Sequence, residues 1–341
     1  MSGTSLDGVD LVYVKFNKKK GYAFKILFSE TIAYSKHWKS TLQNAIYLSA
    51  DDLVALDIVY GEFLGDVIQK FTEKFSIKNI DFIASHGHTV LHEPHKGITL
   101  QIGSGQKIAT ITKQKVVCDF RTQDVQLGGQ GAPLVPIGDA LLFADYDYCL
   151  NLGGFANISF TKNNQRIAFD ICPVNIVLNM YAKKLGLDFD DAGTIAASGS
   201  TIIGLKKELQ EIAFYAQSPP KSLGLEWVKT EIFPRIELQK SNPKDVLRTF
   251  TEHVAWAISE IIPTNAKVLV TGGGAYNTYL ISLLKAKKNA NFILPEKRII
   301  EFKEALIFAF LGLLRLDNQV NCLSSVTGAK KDHSSGEIFY L

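Results

Sequence analysis

A chain of 341 residues is long enough for two domains, each with its own core. Hydrophobic residues make up 46% and charged residues 21%, as in ordinary globular proteins, and a formal net charge of +3 is too small to indicate a nucleic-acid-binding protein. The four cysteines form no Cys-x-x-Cys pair, which argues against a disulfide framework and favours a reducing cytoplasm. The longest apolar run, Ala305–Leu314, is about half a membrane span, so we expect a buried helix and no membrane partner.

The amino-terminal run Met1–Asp10 (MSGTSLDGVD) combines small hydroxyl residues, two glycines and two acids, and the strand-like run Leu11–Phe16 follows it. A turn of this composition can bring backbone N–H groups, hydroxyls and a carboxylate against one phosphate–metal cluster. The alternative is a plain N-terminal turn with Asp7-Gly8 as its hairpin corner. The residues alone leave both interpretations open.

Apolar residues at three- and four-residue spacing predict three amphipathic helices. These helices cover Ala50–Phe75, Lys244–Ile262 and Glu301–Leu316. We expect Asp51 or Asp52 to cap the first helix. Glu304 lies near the start of the third, where an acid complements the helix dipole, so periodicity alone assigns it no function.

Histidines are concentrated in and just after the segment Ser85–Pro94 (SHGHTVLHEP). On a strand, His86 and His88 would point the same way, which makes a metal site conceivable. No cysteine or His-Glu-x-x-His pattern supports a metal here, and histidines also form hydrogen bonds in sugar sites. The pattern favours the second interpretation over the first.

The segment Val116–Pro136 places Asp119, Arg121 and Asp124 after an apolar strand end. The glycine-rich loop at 128–131 then lets the backbone approach a ligand closely. Ion pairing at the surface is the alternative. Three charges beside an amide-rich loop favour a pocket for a polar ligand.

Two further glycine turns follow strand-like runs. Leu150–Phe160 is predicted as strand, Gly153-Gly154 turn and strand, and Arg166–Asp170 adds another strand. Val268–Asn277 is predicted as a buried strand that runs into glycines, and the helix-like segment Thr278–Lys287 follows. Such junctions bind ligands at the carboxyl ends of strands in α/β sheets. Neither a P-loop nor a complete Gly-x-Gly-x-x-Gly pattern occurs, so any nucleotide is bound by hairpin turns.

Asp170 ends a predicted strand, and a helix is predicted to begin near Pro173. A carboxylate at a strand end that faces a cleft is well placed as a general base. Capping of the following helix is the alternative. The sequence leaves both roles open.

Taken together, these segments resemble the anhydro-N-acetylmuramic acid kinases, a family of the actin/hexokinase/Hsp70-like superfamily. The resemblance spans nearly the whole chain. It rests on MSGTSLDGVD (1–10), SHGHTVLHEP (85–94), TLQIG (99–103), VVCDFRTQDVQLGGQGAPLVP (116–136), NLGGFANIS (151–159), FD-x-x-P-x-N (169–175), VTGGGAYN (270–277), EALIFAFL (304–311) and SVTGA (325–329).

The resemblance implies an α/β fold with two actin-like (ribonuclease H-like) domains, each a mixed sheet flanked by helices, and an ATP and sugar cleft between them. We expect an N-terminal domain over 1–140 and a C-terminal domain over 141–341, whose last helix can pack back on the first. A hinge is expected near Pro136–Tyr148. The implied enzyme is a cytoplasmic kinase that uses ATP and Mg²⁺, phosphorylates O6 of 1,6-anhydro-N-acetylmuramic acid and opens its ring with water. The product, N-acetylmuramic acid 6-phosphate, belongs to peptidoglycan recycling. A homodimer is compatible with the sequence.

The resemblance also implies roles for individual residues. Asp170 matches the catalytic base, and Asp7 would hold Mg²⁺ through water. Sugar contacts fall on Gln101, Asp119, Arg121 and Glu304. Nucleotide contacts fall on Gly3, Thr4, Ser5, Leu6, Asp7, Gly8, Val9 and Asp10 in the first phosphate loop, on Gly153, Gly154 and Asn157 in the second, and on Gly272, Gly273, Gly274 and Asn277 near adenosine.

The chain departs from the family pattern around Asp170, because Ile171, Cys172 and Val174 replace a threonine and two glycines. Loss of glycines there could narrow the approach to sugar or phosphate. Two alternatives therefore stay open. One is a kinase for another amino sugar, and the other is a catalytically weak ATP-binding sensor of cell-wall fragments.

Overall fold

The structure, a computed structural model, describes residues 1–3, 6–19 and 21–340. By packing, the chain divides into two compact units: Met1–Leu142 with Phe302–Leu341, and Phe143–Glu301. The α/β class with mixed sheets flanked by helices is confirmed. The domain limits 1–140 and 141–341, the hinge and the cleft between domains stay predictions.

The described residues form runs of strands that are separated by runs of helices. The strands are β1 (Gly8–Asn17), β2 (Ala23–Ala33), β3 (Ile83–Ala84), β4 (His88–Glu93), β5 (Ile98–Ile102), β6 (Val116–Cys118), β7 (Tyr148–Leu152), β8 (Phe155–Lys162), β9 (Gln165–Pro173), β10 (Lys267–Thr271), β11 (Asn291–Ile293) and β12 (Glu337–Phe339). The helices are α1 (Lys36–Asn44), α2 (Ala50–Lys74), α3 (Gly105–Thr112), α4 (Thr122–Gln126), α5 (Val135–Leu142), α6 (Asn175–Lys183), α7 (Thr194–Ser198), α8 (Ile203–Gln210), α9 (Leu225–Trp227), α10 (Phe233–Leu238), α11 (Pro243–Ile261), α12 (Thr278–Lys287), α13 (Lys297–Leu316) and α14 (Ser324–Thr327). None of the described helices is both long and apolar enough to cross a membrane.

The first unit contains three small groups of paired strands. β1 and β2 form an antiparallel hairpin, β4 and β5 form another, and β3, β6 and β12 pair in the order β12-β6-β3. Helix α2 packs on α3 and on β5. Tyr60 of α2, Ile102 of β5 and Ile108 of α3 are fully buried in the core of this unit.

The second unit is built on one five-stranded sheet with the order β11-β10-β7-β8-β9. β7, β8 and β9 are antiparallel neighbours, whereas β10 pairs parallel with both β7 and β11. Helix α11 packs on β9 and on α6, α7, α8 and α12. Its Phe250 and Val254 are fully buried, and burial of side chains of this size contributes roughly 1.5–3 kcal/mol each.

Helix termini differ from the prediction at two positions. Ser49 caps α2, because its hydroxyl oxygen accepts the N–H of Asp52 at 3.2 Å, so the predicted aspartate cap is wrong. Helix α13 begins at Lys297, which places Glu304 in the helix interior and makes its interpretation as a dipole-complementing first-turn acid wrong. The predicted hinge segment begins with helix α5.

Candidate functional site

Two of the glycine turns lie at the same edge of the sheet in the second unit. β7 and β10 are parallel, with Asn151 opposite Thr271 in the register. The pair Gly153-Gly154 follows β7, and the triplet that begins with Gly272 follows β10. Because parallel strands end at one edge, both turns face the side where α/β sheets bind ligands.

The two turns are packed so closely that side chains are excluded between them. Gly272 has a φ of +81°, and a Cβ there would lie 2.7 Å from Asn151 Oδ1 and 2.8 Å from the Leu152 carbonyl group. A Cβ on Gly274 would lie 2.7 Å from Leu152 Cβ. Only glycine fits these positions without a shift of the β7 end.

The β7–β8 turn is anchored on the first turn of α6. The carbonyl oxygen of Gly154 accepts the N–H of Val174 at 2.8 Å, and that of Gly153 accepts the N–H of Asn175 at 3.3 Å. The side-chain amide of Asn175 donates to the Leu152 carbonyl at 3.2 Å. The other side of the turn is open, since a Cβ on Gly154 would meet nothing closer than Ile176 Cβ at 4.0 Å. A ligand can therefore approach this backbone.

Asp170 lies on the same sheet as the β7–β8 turn. It is opposite Asn157 in the antiparallel register of β8 and β9, and such pairs have Cβ atoms roughly 4.5–5.5 Å apart. One carboxylate oxygen, Oδ2, accepts the N–H of Leu223 at 2.8 Å. Burial raises the pKa of Asp170, and the Leu223 hydrogen bond partly offsets that effect.

Asp170 does not cap the following helix. Strand β9 continues to Pro173, and α6 has no side-chain cap at Val174. The capping alternative is therefore wrong. Among the described residues, the other carboxylate oxygen, Oδ1, has no hydrogen-bond partner, and Asp170 lies opposite the exposed Asn157.

The residues that depart from the family pattern are turned into the core. Ile171 is 2% exposed, and Cys172 and Val174 are fully buried. The register of β8 and β9 shifts beside Asp170, with Asn157 opposite Asp170 and Ala156 opposite Cys172, which leaves Ile171 as the bulged residue. The replacements fill apolar space and do not project toward the exposed side of the β7–β8 turn.

The neighbours of Asp170 lie in the loop that precedes α9, and sequence reasoning assigned them no role. Lys221 and Leu223 lie in that loop, and Lys221 accepts the backbone N–H of Asp170 on its carbonyl oxygen at 3.1 Å. The Lys221 ammonium donates to the Phe214 carbonyl at 3.1 Å and lies 4.6 Å from the Phe214 ring centre. Leu223 is 53 residues from Asp170, so no local pattern could have indicated the contact.

Asn277 is used by the helix that follows it. Its side-chain oxygen accepts the N–H of Leu280 at 2.9 Å and caps α12. Gly193, with a φ of +73°, packs against the same oxygen, since a Cβ there would lie 2.2 Å away. The side chain thus fixes the loop after Gly272–Gly274. Its amide nitrogen has no hydrogen-bond partner among the described residues and can contact a ligand.

In the first unit, the amino-terminal segment forms a turn against β1. Ser2 bridges to Val9, and Met1 and Asp10 exchange two backbone hydrogen bonds, each of 2.8 Å. Because Ser2 and Val9 are paired, the chain does not reverse at a two-residue Asp7-Gly8 corner, and that interpretation is wrong. The Asp7 side chain is exposed. Thr4 and Ser5, two of the predicted nucleotide-binding residues, lie outside the described residues.

Residues of that turn are held by buried neighbours. A Cβ on Gly8 would lie 2.3 Å from the Ile32 carbonyl oxygen, so β1 and β2 meet there without room for a side chain. The Ser2 hydroxyl lies 2.6 Å from the Tyr34 hydroxyl and 3.0 Å from His88 Nδ1. Leu6 has a φ of +58°.

Arg121 is joined to His86. Its Nε donates to His86 Nε2 at 3.0 Å, and its Nη1 donates to the Gly131 carbonyl at 2.6 Å. His86 Nδ1 lies 3.0 Å from the Gly87 carbonyl, to which it donates when Nε2 is the acceptor. Burial and the Arg121 charge lower the pKa of His86 well below its ordinary value. His86 is thus a neutral acceptor that orients Arg121.

The other predicted sugar contacts have these environments. The amide nitrogen of Gln101 donates to Thr99 Oγ1 at 2.9 Å, while its oxygen is buried without a hydrogen-bond partner among the described residues. Asp119 accepts the N–H of Thr122 at 3.2 Å. Burial raises the pKa of Glu304, against the opposing charges of Arg121 and the Met1 ammonium group. A hydrogen-bond donor on a ligand could pair with the side-chain oxygen of Gln101.

Asp124 is a structural residue. It is fully buried, and its carboxylate accepts hydrogen bonds from the Thr327 hydroxyl at 2.7 Å, the Gly131 N–H at 2.7 Å and the Cys322 thiol at 3.0 Å. It thereby fixes the loop that positions Arg121. The expectation that all three charges of the segment line a polar pocket is wrong for Asp124.

A family model described as "Anhydro-N-acetylmuramic acid kinase" matches residues 1–341 of this chain. A protein of that name from Zymomonas mobilis is 33% identical over 100% of this chain and 98% of its own length. Another, from Francisella tularensis subsp. novicida, is 32% identical over 100% of this chain and 97% of its own. Among solved structures, a ROK family glucokinase from Streptomyces griseus matches 83% of this chain and 94% of its own chain, with a TM-score of 0.35 and 11% sequence identity. This TM-score is too low to support an inference.

Proposed function

The chain belongs to the anhydro-N-acetylmuramic acid kinase family, and we propose that it transfers the γ-phosphoryl group of ATP to O6 of 1,6-anhydro-N-acetylmuramic acid while water opens the ring at C1. The product would be N-acetylmuramic acid 6-phosphate. The family match over residues 1–341 carries this proposal. Phosphoryl transfer of this kind requires positioning and charge neutralisation more than a protein nucleophile.

Asp170 is our candidate for the general base. Its Oδ2 is engaged by the Leu223 N–H, which fixes the carboxylate and leaves Oδ1 to accept a proton from water. Burial raises the pKa of Asp170, which makes its ionised carboxylate a stronger base. As water adds to C1, O6 leaves C1 and is captured by the γ-phosphorus.

We assign the backbone of Gly153-Gly154 and Asn157 to the phosphates, and the Gly272–Gly274 turn to the adenosine side. The open face of the β7–β8 turn and its position beside Asp170 support the assignment. Residues 3–10 would form the other phosphate loop. Gln101, Asp119, Arg121 and Glu304 are our candidates for sugar contacts, with the unsatisfied Gln101 oxygen as the strongest indication among them.

Mg²⁺ is the metal we propose to accompany ATP. The donor at Asp7 fits it, because an exposed carboxylate is a hard oxygen ligand that can hold the ion through water. When bound, Mg²⁺ would neutralise charge on the phosphates. We expect the enzyme to work in the cytoplasm, and a homodimer stays a prediction.

The test is incubation of the purified protein with ATP, Mg²⁺ and 1,6-anhydro-N-acetylmuramic acid. We expect ADP and a sugar 6-phosphate in equal amounts, identified by mass spectrometry. A panel of other amino sugars is the matched control. Turnover of another amino sugar alone would contradict the proposed function and indicate a kinase for that sugar. Tight sugar binding without turnover would contradict it and indicate a sensor.

A further inference from the structure

Three side chains of the kinds that bind metals converge in the interior of the first unit. Asp124 lies on α4, whereas Cys322 and His333 belong to the segment that follows α13. Asp124 is fully buried, and Cys322 and His333 are 1% and 6% exposed. One carboxylate oxygen, the thiol sulfur and one imidazole nitrogen lie within 4.8 Å of one another. Oxygen, sulfur and nitrogen donors of these types are the ones that zinc takes in proteins.

The backbone places Cys322 beside His333. The N–H of Cys322 donates to the His333 carbonyl at 3.1 Å, and the N–H of His333 donates to the Cys322 carbonyl at 3.2 Å. Side chains that are directly opposed in an antiparallel pair lie on the same face, with Cβ atoms roughly 4.5–5.5 Å apart. The loop between them is closed at Asp332, whose Oδ1 accepts the N–H of Ser324 at 2.7 Å and its hydroxyl at 2.6 Å. Main-chain pairing therefore sets the positions of two of the three donors.

His333 directs an unused nitrogen toward Asp124. Its Nδ1 lies 3.1 Å from the Lys331 carbonyl oxygen, which can only accept, so Nδ1 carries the proton. In the neutral imidazole, Nε2 then has a lone pair and no hydrogen. This nitrogen is buried without a hydrogen-bond partner among the described residues and lies 3.5 Å from Asp124 Oδ1. Two acceptors that face each other in the interior are unfavourable, and a cation bound to both removes the cost.

The hydrogen bonds of Asp124 are compatible with a bond to a metal. Its Oδ2 accepts the Gly131 N–H at 2.7 Å, and its Oδ1 accepts the Thr327 hydroxyl at 2.7 Å. Both can persist when Oδ1 binds a cation, and they orient the carboxylate as the partners of metal ligands do. Only the Cys322 thiol, 3.0 Å from Oδ1, must give up its hydrogen. Its proton passes to water, and the sulfur binds the ion as a thiolate.

The spacing of the donor atoms fits a tetrahedral ion. Zinc bonds of about 2.3 Å to sulfur and about 2.0–2.2 Å to nitrogen and oxygen place neighbouring donors roughly 3.3–3.7 Å apart. The Cys322 sulfur lies 3.0 Å and the His333 nitrogen 3.5 Å from Asp124 Oδ1. Shifts of about 1 Å are therefore enough to complete the geometry. Thiolate and imidazole donors favour zinc over magnesium or calcium, which take oxygen ligands.

We propose that Asp124, Cys322 and His333 bind one Zn²⁺ ion, with a water in the fourth tetrahedral position. The ion joins α4 to the segment that follows α13. Asp124 also accepts the Gly131 N–H, and the Gly131 carbonyl accepts Arg121 Nη1, so the ion fixes the loop that positions Arg121. This role is structural and is separate from that of the Mg²⁺ proposed to accompany ATP.

The first experiment measures metal in the unmodified protein. Purified protein is stripped under native conditions, reloaded with Zn²⁺ or with Co²⁺ as its spectroscopic substitute, and desalted before its metal content is determined. We expect about one ion per chain and, with Co²⁺, the absorption of a cobalt–thiolate bond. Removal of zinc should lower the midpoint of thermal unfolding by roughly 5 °C or more, whereas Mg²⁺ should not restore it. Protein that retains no zinc and shows no cobalt–thiolate absorption would overturn the proposal and indicate a His333 imidazolium paired with Asp124.

Cys322→Ser tests the set of ligands. The serine hydroxyl can still donate to Asp124, so the hydrogen bond is kept while the thiolate is lost. We expect zinc affinity to fall by about 100-fold or more and the cobalt–thiolate absorption to vanish. Cys118→Ser is the matched control, because Cys118 is also buried in the first unit, and it should keep both. Equal cobalt absorption in the two variants would overturn the proposal.

X-ray absorption by zinc in the unmodified protein decides the matter if Cys322→Ser does not fold. We expect one sulfur at about 2.3 Å, together with nitrogen and oxygen donors at about 2.0–2.2 Å that include an imidazole. A shell without sulfur, or one with several sulfurs, would overturn the proposed ligands. Neither experiment depends on kinase activity, so its outcome is independent of the proposed function.

Discussion

Gly272→Ala tests the close packing of the two glycine turns in the second unit. A new Cβ would lie 2.7 Å from Asn151 Oδ1 and 2.8 Å from the Leu152 carbonyl group, and the backbone has a φ of +81°. With a ψ of 165°, this is a backbone conformation that essentially only glycine adopts, and it costs an L-residue about 1–3 kcal/mol. Relief of the contacts by movement of the β7 end costs about 1–3 kcal/mol more.

We therefore expect the free energy of unfolding to fall by about 2–6 kcal/mol. At about 2–4 °C per kcal/mol, the midpoint of thermal unfolding should fall by at least ~4 °C. Gly186→Ala is the matched control, because Gly186 has a φ of +80° in the same unit and a Cβ there would meet no described atom within 4 Å. The control should lose only the conformational part, about 1–2 kcal/mol.

Urea and thermal unfolding of the two variants measure the difference. Nucleotide binding gives a second readout, since a displaced β7 end moves the β7–β8 turn. Equal losses in Gly272→Ala and Gly186→Ala would refute the close contact between the turns. An unchanged ATP affinity in Gly272→Ala would refute the assignment of that contact to the nucleotide site.

Three further predictions concern single side chains. Asp170→Asn should lower turnover by about 10²–10⁴-fold with ATP affinity retained, and near-normal turnover of this variant would exclude Asp170 as the base. In the unmodified enzyme, kcat/KM should decline as pH falls through a pKa above the ordinary aspartate value of 3.8. Gly153→Ala should weaken ATP binding by about tenfold, and unchanged binding would exclude a phosphate at this turn. The unfolding free energy should change little, because the nearest atom to the new Cβ is the side-chain nitrogen Nδ2 of Asn151 at 3.2 Å. Glu252→Gln should lower the unfolding free energy by about 1–3 kcal/mol at pH 7. Burial alone would raise the pKa of Glu252, but hydrogen bonds from Arg248 and Lys206 outweigh this effect and lower the pKa. The stabilisation is therefore present above the ordinary glutamate pKa of 4.5 and is lost as pH falls through the folded-state pKa. A difference in unfolding free energy between the unmodified protein and Glu252→Gln that persists at pH 2–3 would contradict the charge interaction.

Helices whose cap and apolar periodicity lie within one stretch of sequence were predicted correctly from that stretch. The helix Thr278–Lys287 has the predicted bounds, because Asn277 supplies its own cap. The start of α13 was predicted too late, since its first turn carries charges, which have no apolar periodicity. The i,i+4 pair of Lys297 and Glu301, with Nζ and Oε1 3.5 Å apart, supports that turn.

The environment of the site depends on contacts between distant residues. The prediction that Asp170 ends its strand is wrong, because β9 continues to Pro173. The hydrogen bond of Asp170 to Leu223 joins segments 53 residues apart. Asp124 was interpreted as a pocket residue because a charged residue is rarely buried without partners, and none is visible near it in the sequence. Its partners, Cys322 and Thr327, come from the far end of the chain and have no sequence signal near it.

The central claim is tested most directly by the path of oxygen in the reaction. The purified protein is incubated with ATP, Mg²⁺ and 1,6-anhydro-N-acetylmuramic acid in ¹⁸O-labelled water, with Asp170→Asn as the control. The account predicts that the label enters at C1 at the moment of ring opening, while O6 carries an unlabelled γ-phosphoryl group, and that the control forms product at a small fraction of the rate. Phosphorylated product with an intact anhydro ring, or no phosphorylated product, would contradict it.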